Sequence, residues 1–292
     1  MTDPRLHAVL EDLAIESAGL DALVADRPAE DWRLPTPAEG WDVATSIAHL
    51  AWTDEVAVLA ATDKAGWDEV VLEAIADPTG FVDASALAAG AVPPEELLGR
   101  WRIARARLAE VLETHPAGEK LPWFGPPMSP TSMATARYME TWAHGLDVAD
   151  ALGATVAPHD RVRHVVHIGV RTRAFSFAGN GLDVPVSEVR VELTAPGGAT
   201  WGYGPEDADQ RVTGSAWDFA LLVTQRRHRA DLDLVAQGAD ADRWLDVAQA
   251  FAGPSGTGRA PSSVEPDSPV VEPDSPVVEP DSPVVEPVET AP

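Results

Sequence analysis

Four long stretches of this sequence place apolar residues at the three- and four-residue intervals of an amphipathic helix. They span residues 2–26, 41–62, 94–115 and 131–152, and proline-rich loops separate them. Pro94 and the Glu95–Glu96 pair mark the start of the third stretch. A shorter helix is predicted at 66–76. Four long helices with one elaborate connection predict a four-helix bundle, which can build a metal site from inward side chains on facing helices.

The pattern changes after residue 155. A helix is predicted over 159–179, and three short strands follow in the segments VSEVRVEL, TWGYG and QRVTGSAW. Gly197–Gly198 predicts a turn between the first two strands rather than a phosphate-binding loop. Two further helices are predicted, in WDFALLVTQRRH and DADRWLDVAQAFAG. The predicted fold is therefore mainly α, with a bundle domain over 1–155 and a smaller α+β domain over 156–260.

Residues 261–292 carry a heptapeptide repeat, VEPDSPV, which begins at Val264, Val271 and Val278. This stretch contains eight acidic residues and no basic one. Proline at every third or fourth position prevents a helix, and the acids oppose collapse. We therefore predict a disordered, acidic, proline-rich tail that takes no part in chemistry, with a docking role for a partner as the alternative.

The net charge of the chain is −26, and it is still about −18 without the tail. A polyanionic surface repels phosphate backbones and anionic lipid headgroups, so nucleic-acid and membrane partners are not expected. The chain has no cysteine, which excludes disulfides, thiolate ligands and a catalytic thiol. It shows no basic, apolar signal segment and no apolar run of 18 residues. A cytoplasmic location is expected, and no surface pattern predicts the oligomeric state.

One histidine and one glutamate–histidine pair lie in two of the predicted helices. His49 lies in WDVATSIAHLAW, whereas Glu140 and His144 lie four residues apart in YMETWAHGLDVADAL. That spacing puts a carboxylate and an imidazole one turn apart on the same helical face. Two imidazoles and a carboxylate suit Zn²⁺ or another divalent first-row ion, and they leave positions open for water or substrate. We predict a metal site formed by His49, Glu140 and His144.

Each of these residues also has an ordinary structural interpretation. A single histidine on an amphipathic helix is usually a satisfied core residue, and an E-x-x-x-H pair is often an exposed ion pair. The apolar neighbours favour the metal, because a buried carboxylate without a partner costs several kcal/mol and a divalent cation removes that cost. Asp147, three residues after His144, is predicted to orient an imidazole, with a role as fourth ligand as the alternative.

Two basic clusters allow two interpretations each. His164 and His167 lie three residues apart among arginines, which indicates either a solvated basic face or a second anion or metal site. The run Arg226–Arg229 is the densest basic segment. It indicates either a cationic helix terminus or a clamp for substrate carboxylates.

The segments GWDVATSIAHLAW and ETWAHGLDVADALG resemble the metal-binding amino-terminal domain of mycothiol-dependent maleylpyruvate isomerases, within the DinB-like superfamily. The resemblance covers roughly residues 5–155, and residues 160–253 are similar in the order of elements to the sterol-carrier-like second domain. It implies that His49, Glu140 and His144 hold a divalent metal, zinc being the expected ion. It also implies an active-site arginine in the second domain, for which Arg226 and Arg227 are the candidates. In the second half, the resemblance to an uncharacterised actinobacterial branch of the superfamily is carried by the segments VRVELTAPGGATWGYGP, GSAWDFALLVTQRRH and AQAFAGPSGTGR.

Two functions are compatible with these features. The resemblance implies an enzyme that uses mycothiol as its thiol and acts as an isomerase or transferase on a small electrophilic or carboxylate substrate. Isomerisation would proceed by thiol addition, bond rotation and elimination. The alternative is a metal- or lipid-binding module without turnover. Three protein ligands favour the enzyme, whereas four favour a structural site.

Overall fold

The computed structural model describes residues 3–253, 256 and 258–262. All four predicted long helices are confirmed, with small shifts at their ends. A helix at the predicted position 66–76 is also present and begins slightly earlier. The first part of the chain contains α1 (Pro4–Val24), α2 (Val43–Thr62), α3 (Lys64–Ala76), α4 (Phe81–Ala89), α5 (Pro94–Thr114) and α6 (Pro130–Ala151). Helix α4 has no counterpart in the sequence-based prediction, because its small alanine-rich face carries little apolar periodicity.

Side-chain caps fix where the two helices of the candidate site begin. The Asp42 carboxylate accepts a hydrogen bond from the Thr45 backbone N–H at 2.7 Å, which starts α2. Ser129 caps α6 in the same way and is followed by Pro130, whose fixed φ suits the first helical position. These caps set the rotational phase with which α2 and α6 present their side chains.

The four long helices pack around apolar side chains. Helix α2 lies against α5 and α6, and α1 lies against α6, while α3 and α4 cover another side of α2. Ile47, Leu50, Leu97 and Trp101 are fully buried between α2 and α5. Burying a large apolar side chain contributes roughly 1.5–3 kcal/mol relative to leaving it exposed. This packing holds α2 and α6 side by side.

The helix predicted over 159–179 is present from Arg163 but is divided into two helices. A short 3-10 turn at Asp160–Val162 leads into α7 (Arg163–Arg171), and α8 (Arg173–Gly179) follows after a break at Thr172. The Thr172 hydroxyl donates to the backbone carbonyl of Gln249 at 2.7 Å. The break therefore occurs where the helix is attached to the end of the described chain.

The second part of the chain also contains a four-stranded sheet of β1 (Val189–Thr194), β2 (Thr200–Tyr203), β3 (Gln210–Ser215) and β4 (Leu234–Gln237). The spatial order is β2-β1-β3-β4, with β1 parallel to β3 and the outer pairs antiparallel. Helices α9 (Ala216–Val223) and α10 (Ala239–Val247) pack on this sheet. The three predicted strands and the turn at Gly198 are present, whereas β4 was not predicted and both helices end earlier than expected.

The described residues up to Pro261 form one compact unit. One hydrophobic core runs from Leu10 of α1 through Trp142 of α6 to Phe219 and Trp244 of the second part. The predicted domain boundary between 155 and 156 stays a prediction. The repeat segment predicted as a tail lies outside the described residues, apart from Pro261 and Ser262. No helix in the described part of the chain is both long and apolar enough to cross a membrane.

Candidate metal centre

The three predicted ligands meet between α2 and α6. His49 Nε2 lies 3.5 Å from Glu140 Oε2, and His144 Nε2 lies 3.4 Å from the same oxygen. One donor atom from each of the three residues falls within 4.8 Å of the others. Among the described residues, no fourth His, Asp, Glu or Cys joins this group. The sequence spacing therefore identified a real cluster with one carboxylate and two imidazoles.

The separations fit a metal ion. Tetrahedral bonds of about 2.1 Å place neighbouring ligand atoms about 3.4 Å apart, close to the two nitrogen–oxygen distances here. Both imidazoles direct Nε2 towards the shared carboxylate oxygen, so the three donors converge on one point. The donor set is one that Zn²⁺ and its neighbours accept. The residues present therefore fit the divalent ion that the resemblance implies.

Burial shapes the charge state of these groups. Desolvation lowers the pKa of His49 to about 4, so this imidazole is neutral at physiological pH. Burial acts to raise the pKa of Glu140, but hydrogen bonds from His144 and His49 outweigh it and hold that pKa well below its usual value. Burial also opposes charge on His144, yet contacts with Asp147 and Glu140 raise its pKa. Glu140 is therefore an anion, as a metal ligand must be.

Asp147 lies behind His144. Its Oδ2 atom is 3.3 Å from His144 Nδ1, and its side chain is 2% exposed. A carboxylate at Nδ1 fixes the ring so that Nε2 keeps its lone pair for a metal. The position supports the predicted orienting role over that of a fourth ligand. His49 differs, because its buried Nδ1 has no hydrogen-bond partner in the described part of the protein.

Three arginines from the second part of the chain hold the carboxylates at the end of α6. Arg226 and Arg259 donate to the two oxygens of Asp147, each at 2.6 Å. Arg227 binds Asp150 through both terminal nitrogens, and Arg259 also reaches Asp150 at 2.6 Å. Burial acts to raise the pKa of Asp147, but Arg226 and His144 hold it far below its usual value.

The two predicted catalytic arginines therefore differ in position. Arg226 Nη2 also lies 3.5 Å from His144 Nδ1, so it borders the candidate ligands. Arg227 points to Asp150 and contacts none of the three. The predicted clamp for substrate carboxylates already binds carboxylates of this chain. The basic run Arg226–Arg229 begins beyond the end of α9. Arg259 was not identified from the sequence, since nothing near it in GPSGTGR indicates a partner.

Trp41 was also missed as a site residue. Its indole ring stacks on the His144 ring at 5.4 Å between centroids and lies 5.1 Å from the His49 ring. The sequence placed Trp41 only at the start of a helix, whereas α2 begins at Val43 and Trp41 precedes its cap. From that position the indole covers both imidazoles.

A buried ion pair connects the same two helices. Arg137 Nε donates to Asp54 Oδ1 at 2.8 Å, and the two side chains are 3% and 6% exposed. Arg137 lies one turn before Glu140 on α6, and Asp54 lies about one turn after His49 on α2. The pair therefore fixes how α2 and α6 are aligned next to the candidate ligands.

The predicted solvated basic face includes the exposed Arg163, His167 and Arg171 but not His164. His164 is buried, and its Nε2 lies 2.8 Å from Asp12 of α1, which Arg163 also binds. His159 and Arg161 contact Glu16 of the same helix. These basic groups attach the second part of the chain to α1. Since His167 does not join them in a ligand cluster among the described residues, a second metal site is not supported.

Comparison with known proteins identifies the family. Residues 13–149 match the family model for the mycothiol maleylpyruvate isomerase N-terminal domain. The crystal structure of the mycothiol-dependent maleylpyruvate isomerase shares the fold, with a TM-score of 0.54 and 14% identity over 79% of this chain and 92% of that one. The chain belongs to the mycothiol-dependent maleylpyruvate isomerase-like family. A histidine-to-alanine mutant of that isomerase gives a similar match, with a TM-score of 0.53 over the same coverage.

Two relatives place the chain within the actinobacterial part of this isomerase-like family. The uncharacterised proteins MT0041 and Rv0036c of Mycobacterium tuberculosis are each 57% identical over 259 residues, which is 89% of this chain and 100% of each relative. Residues 185–237, which contain the sheet and α9, match a second model described as wyosine base formation. That match covers a short segment of the chain and none of the three candidate ligands.

Proposed function

We propose that this protein is a cytoplasmic, metal-dependent enzyme that isomerises or modifies a small electrophilic or carboxylate substrate with the help of a thiol. Membership of the family supports mycothiol as that thiol. The observation that carries the proposal is the convergence of His49, Glu140 and His144 as three donors with no fourth among the described residues. Such a set leaves coordination positions open, which is typical of catalytic rather than structural sites. The non-catalytic alternative lacks the fourth ligand that would favour it.

The residues around the candidate site have separable tasks. His49, Glu140 and His144 would hold the ion, and Asp147 orients His144. A divalent ion bound here would supply Lewis acidity, which lowers the pKa of a coordinated thiol and polarises a carbonyl. Trp41 covers the imidazoles and limits the access of water. Arg226 neutralises Asp147 and lies beside Nδ1 of His144, the ring nitrogen that faces away from the ion.

The test is turnover by the purified, zinc-loaded protein with mycothiol and a panel of electrophiles, followed as loss of free thiol and as isomerisation of maleylpyruvate. We expect metal- and thiol-dependent turnover that His49→Ala abolishes together with bound zinc. His7→Ala is the control, because His7 also faces a glutamate one turn away but lies exposed on α1. Unchanged zinc content and unchanged turnover in His49→Ala would refute the proposal.

The orienting role of Asp147 makes a separate prediction. Removing a carboxylate that orients a ligating histidine typically weakens metal binding by about 10- to 100-fold. We therefore expect Asp147→Asn to raise the dissociation constant for Zn²⁺ by roughly that factor, measured by competition with a chromophoric chelator. Asp150→Asn is the matched control, since Asp150 shares Arg259 with Asp147 but does not contact His144. Equal affinities in the two variants would remove Asp147 from the site.

A further inference from the structure

A continuous series of aromatic rings leads from the candidate ligands to the protein surface. Trp52 lies 6.3 Å from the His49 ring and 5.2 Å from Phe81, and Phe81 lies 6.0 Å from Phe124. Phe124 contacts Trp67 and Trp123 and is 44% exposed. With Trp41 over the imidazoles, these six rings form what we call the aromatic wall: Trp41, Trp52, Trp67, Phe81, Trp123 and Phe124.

Helix α4 holds the inner end of the aromatic wall in place. The Trp41 indole N–H donates to Asp83 of α4 at 3.1 Å, which fixes the ring over His144. Phe81, at the first position of the same helix, packs edge-on against Trp52. Trp41, Trp52 and Phe81 all keep part of their surface open to solvent. Part of each of these three rings is therefore accessible to a bound molecule beside the ligands.

The charged groups near the wall do not suit an anionic substrate. The arginines closest to the ligands each bind a carboxylate of this chain: Arg137 binds Asp54, Arg226 binds Asp147, and Arg227 and Arg259 bind Asp150. The segment 63–83, which carries Trp67 and Phe81, contains six acidic residues and one lysine. A substrate carboxylate placed here would meet negative charge and would compete with existing ion pairs.

We propose that the aromatic wall selects an uncharged electrophile carrying an aromatic ring as the substrate of this site. The inference rests on the proposed function and narrows it from electrophile or carboxylate to an aromatic electrophile. Aromatic pairs contribute about 0.5–1.5 kcal/mol beyond the area that they bury, and they require no unpaired cation. The wall supplies that interaction next to the imidazoles of the candidate ligands.

The corresponding reaction is a group transfer that requires no oxidant. The thiol sulfur forms a bond to the electrophilic ring carbon, and the leaving halide departs with the bonding electron pair. The thiol proton passes to solvent. Chlorodinitrobenzene has this chemistry and no charge, so it is the probe of choice, whereas maleylpyruvate carries two carboxylates and is the anionic comparison.

The experiment compares kcat and KM of the zinc-loaded protein for both probes in the presence of mycothiol. We expect a higher kcat/KM for chlorodinitrobenzene, and we expect Phe81→Ala to raise its KM by about 3- to 10-fold at unchanged zinc content. Phe81→Tyr should restore the KM, because the ring is kept. Phe175→Ala is the control, since Phe175 is an exposed phenylalanine on α8 that makes no ring contact with the wall. A higher kcat/KM for maleylpyruvate, with no effect of Phe81→Ala, would overturn the substrate class and leave the proposed function intact.

Calorimetry with unreactive dinitrobenzene separates the two proposals. Binding that Phe81→Ala weakens and Phe81→Tyr restores would support ring recognition by the wall even if neither probe turns over, in which case the proposed function alone fails. Absence of dinitrobenzene binding to the wild-type protein would overturn the inference about the wall, whatever the turnover results.

Discussion

Asp54→Ala is expected to lower the free energy of unfolding by about 3–5 kcal/mol, because it leaves the Arg137 guanidinium buried without its partner. Burial raises the pKa of Asp54 in spite of Arg137 beside it, so desolvation of this carboxylate outweighs the attraction of the pair. The pair therefore adds little net stability while both members are present. The free energy of unfolding falls when one charge is removed and the other stays buried.

Urea denaturation of matched variants checks this expectation. Glu55→Ala is the control, since the neighbouring Glu55 binds Arg100 through two hydrogen bonds at 2.6 and 2.7 Å but both side chains are about one-third exposed. An exposed pair contributes about 0–1 kcal/mol. The double variant Asp54→Leu with Arg137→Met should recover most of the stability, because an apolar pair avoids desolvation. Similar losses for Asp54→Ala and Glu55→Ala would contradict the account.

Glu140→Gln is expected to weaken zinc binding by more than about 100-fold. Removing a residue that only orients a ligand weakens metal binding by about 10- to 100-fold. A larger effect is expected for Glu140, because it contributes the one negative charge shared by both imidazoles. The amide keeps the shape of the side chain, so the loss reports charge rather than packing. Equilibrium dialysis against buffered Zn²⁺ measures the dissociation constant.

The chain offers a close comparison for this variant. Glu11 faces His7 one turn away on α1 at 3.3 Å, and Glu113 lies 3.5 Å from the other ring nitrogen, but all three side chains are exposed and they form no metal-ligand cluster among the described residues. Glu11→Gln should leave zinc binding unchanged. A dissociation constant for Glu140→Gln within about threefold of the wild-type value would mean that Glu140 is not a ligand, since even an orienting residue costs more.

Local pattern was sufficient to predict the long helices and the three candidate ligands. Four-residue spacing placed Glu140 and His144 on one face, and the apolar setting of His49 indicated burial. Pattern could not reveal the groups that come from distant parts of the chain. Arg259 meets Asp147 only because the end of the described chain returns to α6, and Trp41 reaches His144 only through a loop that precedes α2.

The elements that were missed are short or irregular. Strand β4 has four residues, Leu234–Gln237, as β2 does, but no glycine turn such as Gly197–Gly198, which marks β2 in the sequence, precedes it. Helix α4 begins at Phe81 without a side-chain cap, so no start signal marks it. The helix predicted over 159–179 is divided at Thr172, whose hydroxyl binds a carbonyl far away in sequence. Tertiary contacts, rather than local preference, decide each of these cases.

The arginines that bind Asp147 and Asp150 make the first half of the chain depend on the second half for charge neutralisation. A gene fragment ending after α6 would encode all three candidate ligands but none of Arg226, Arg227 and Arg259. The two carboxylates, three residues apart on one helical face, would then repel each other. A different second half would have to supply replacement cations for Asp147 and Asp150.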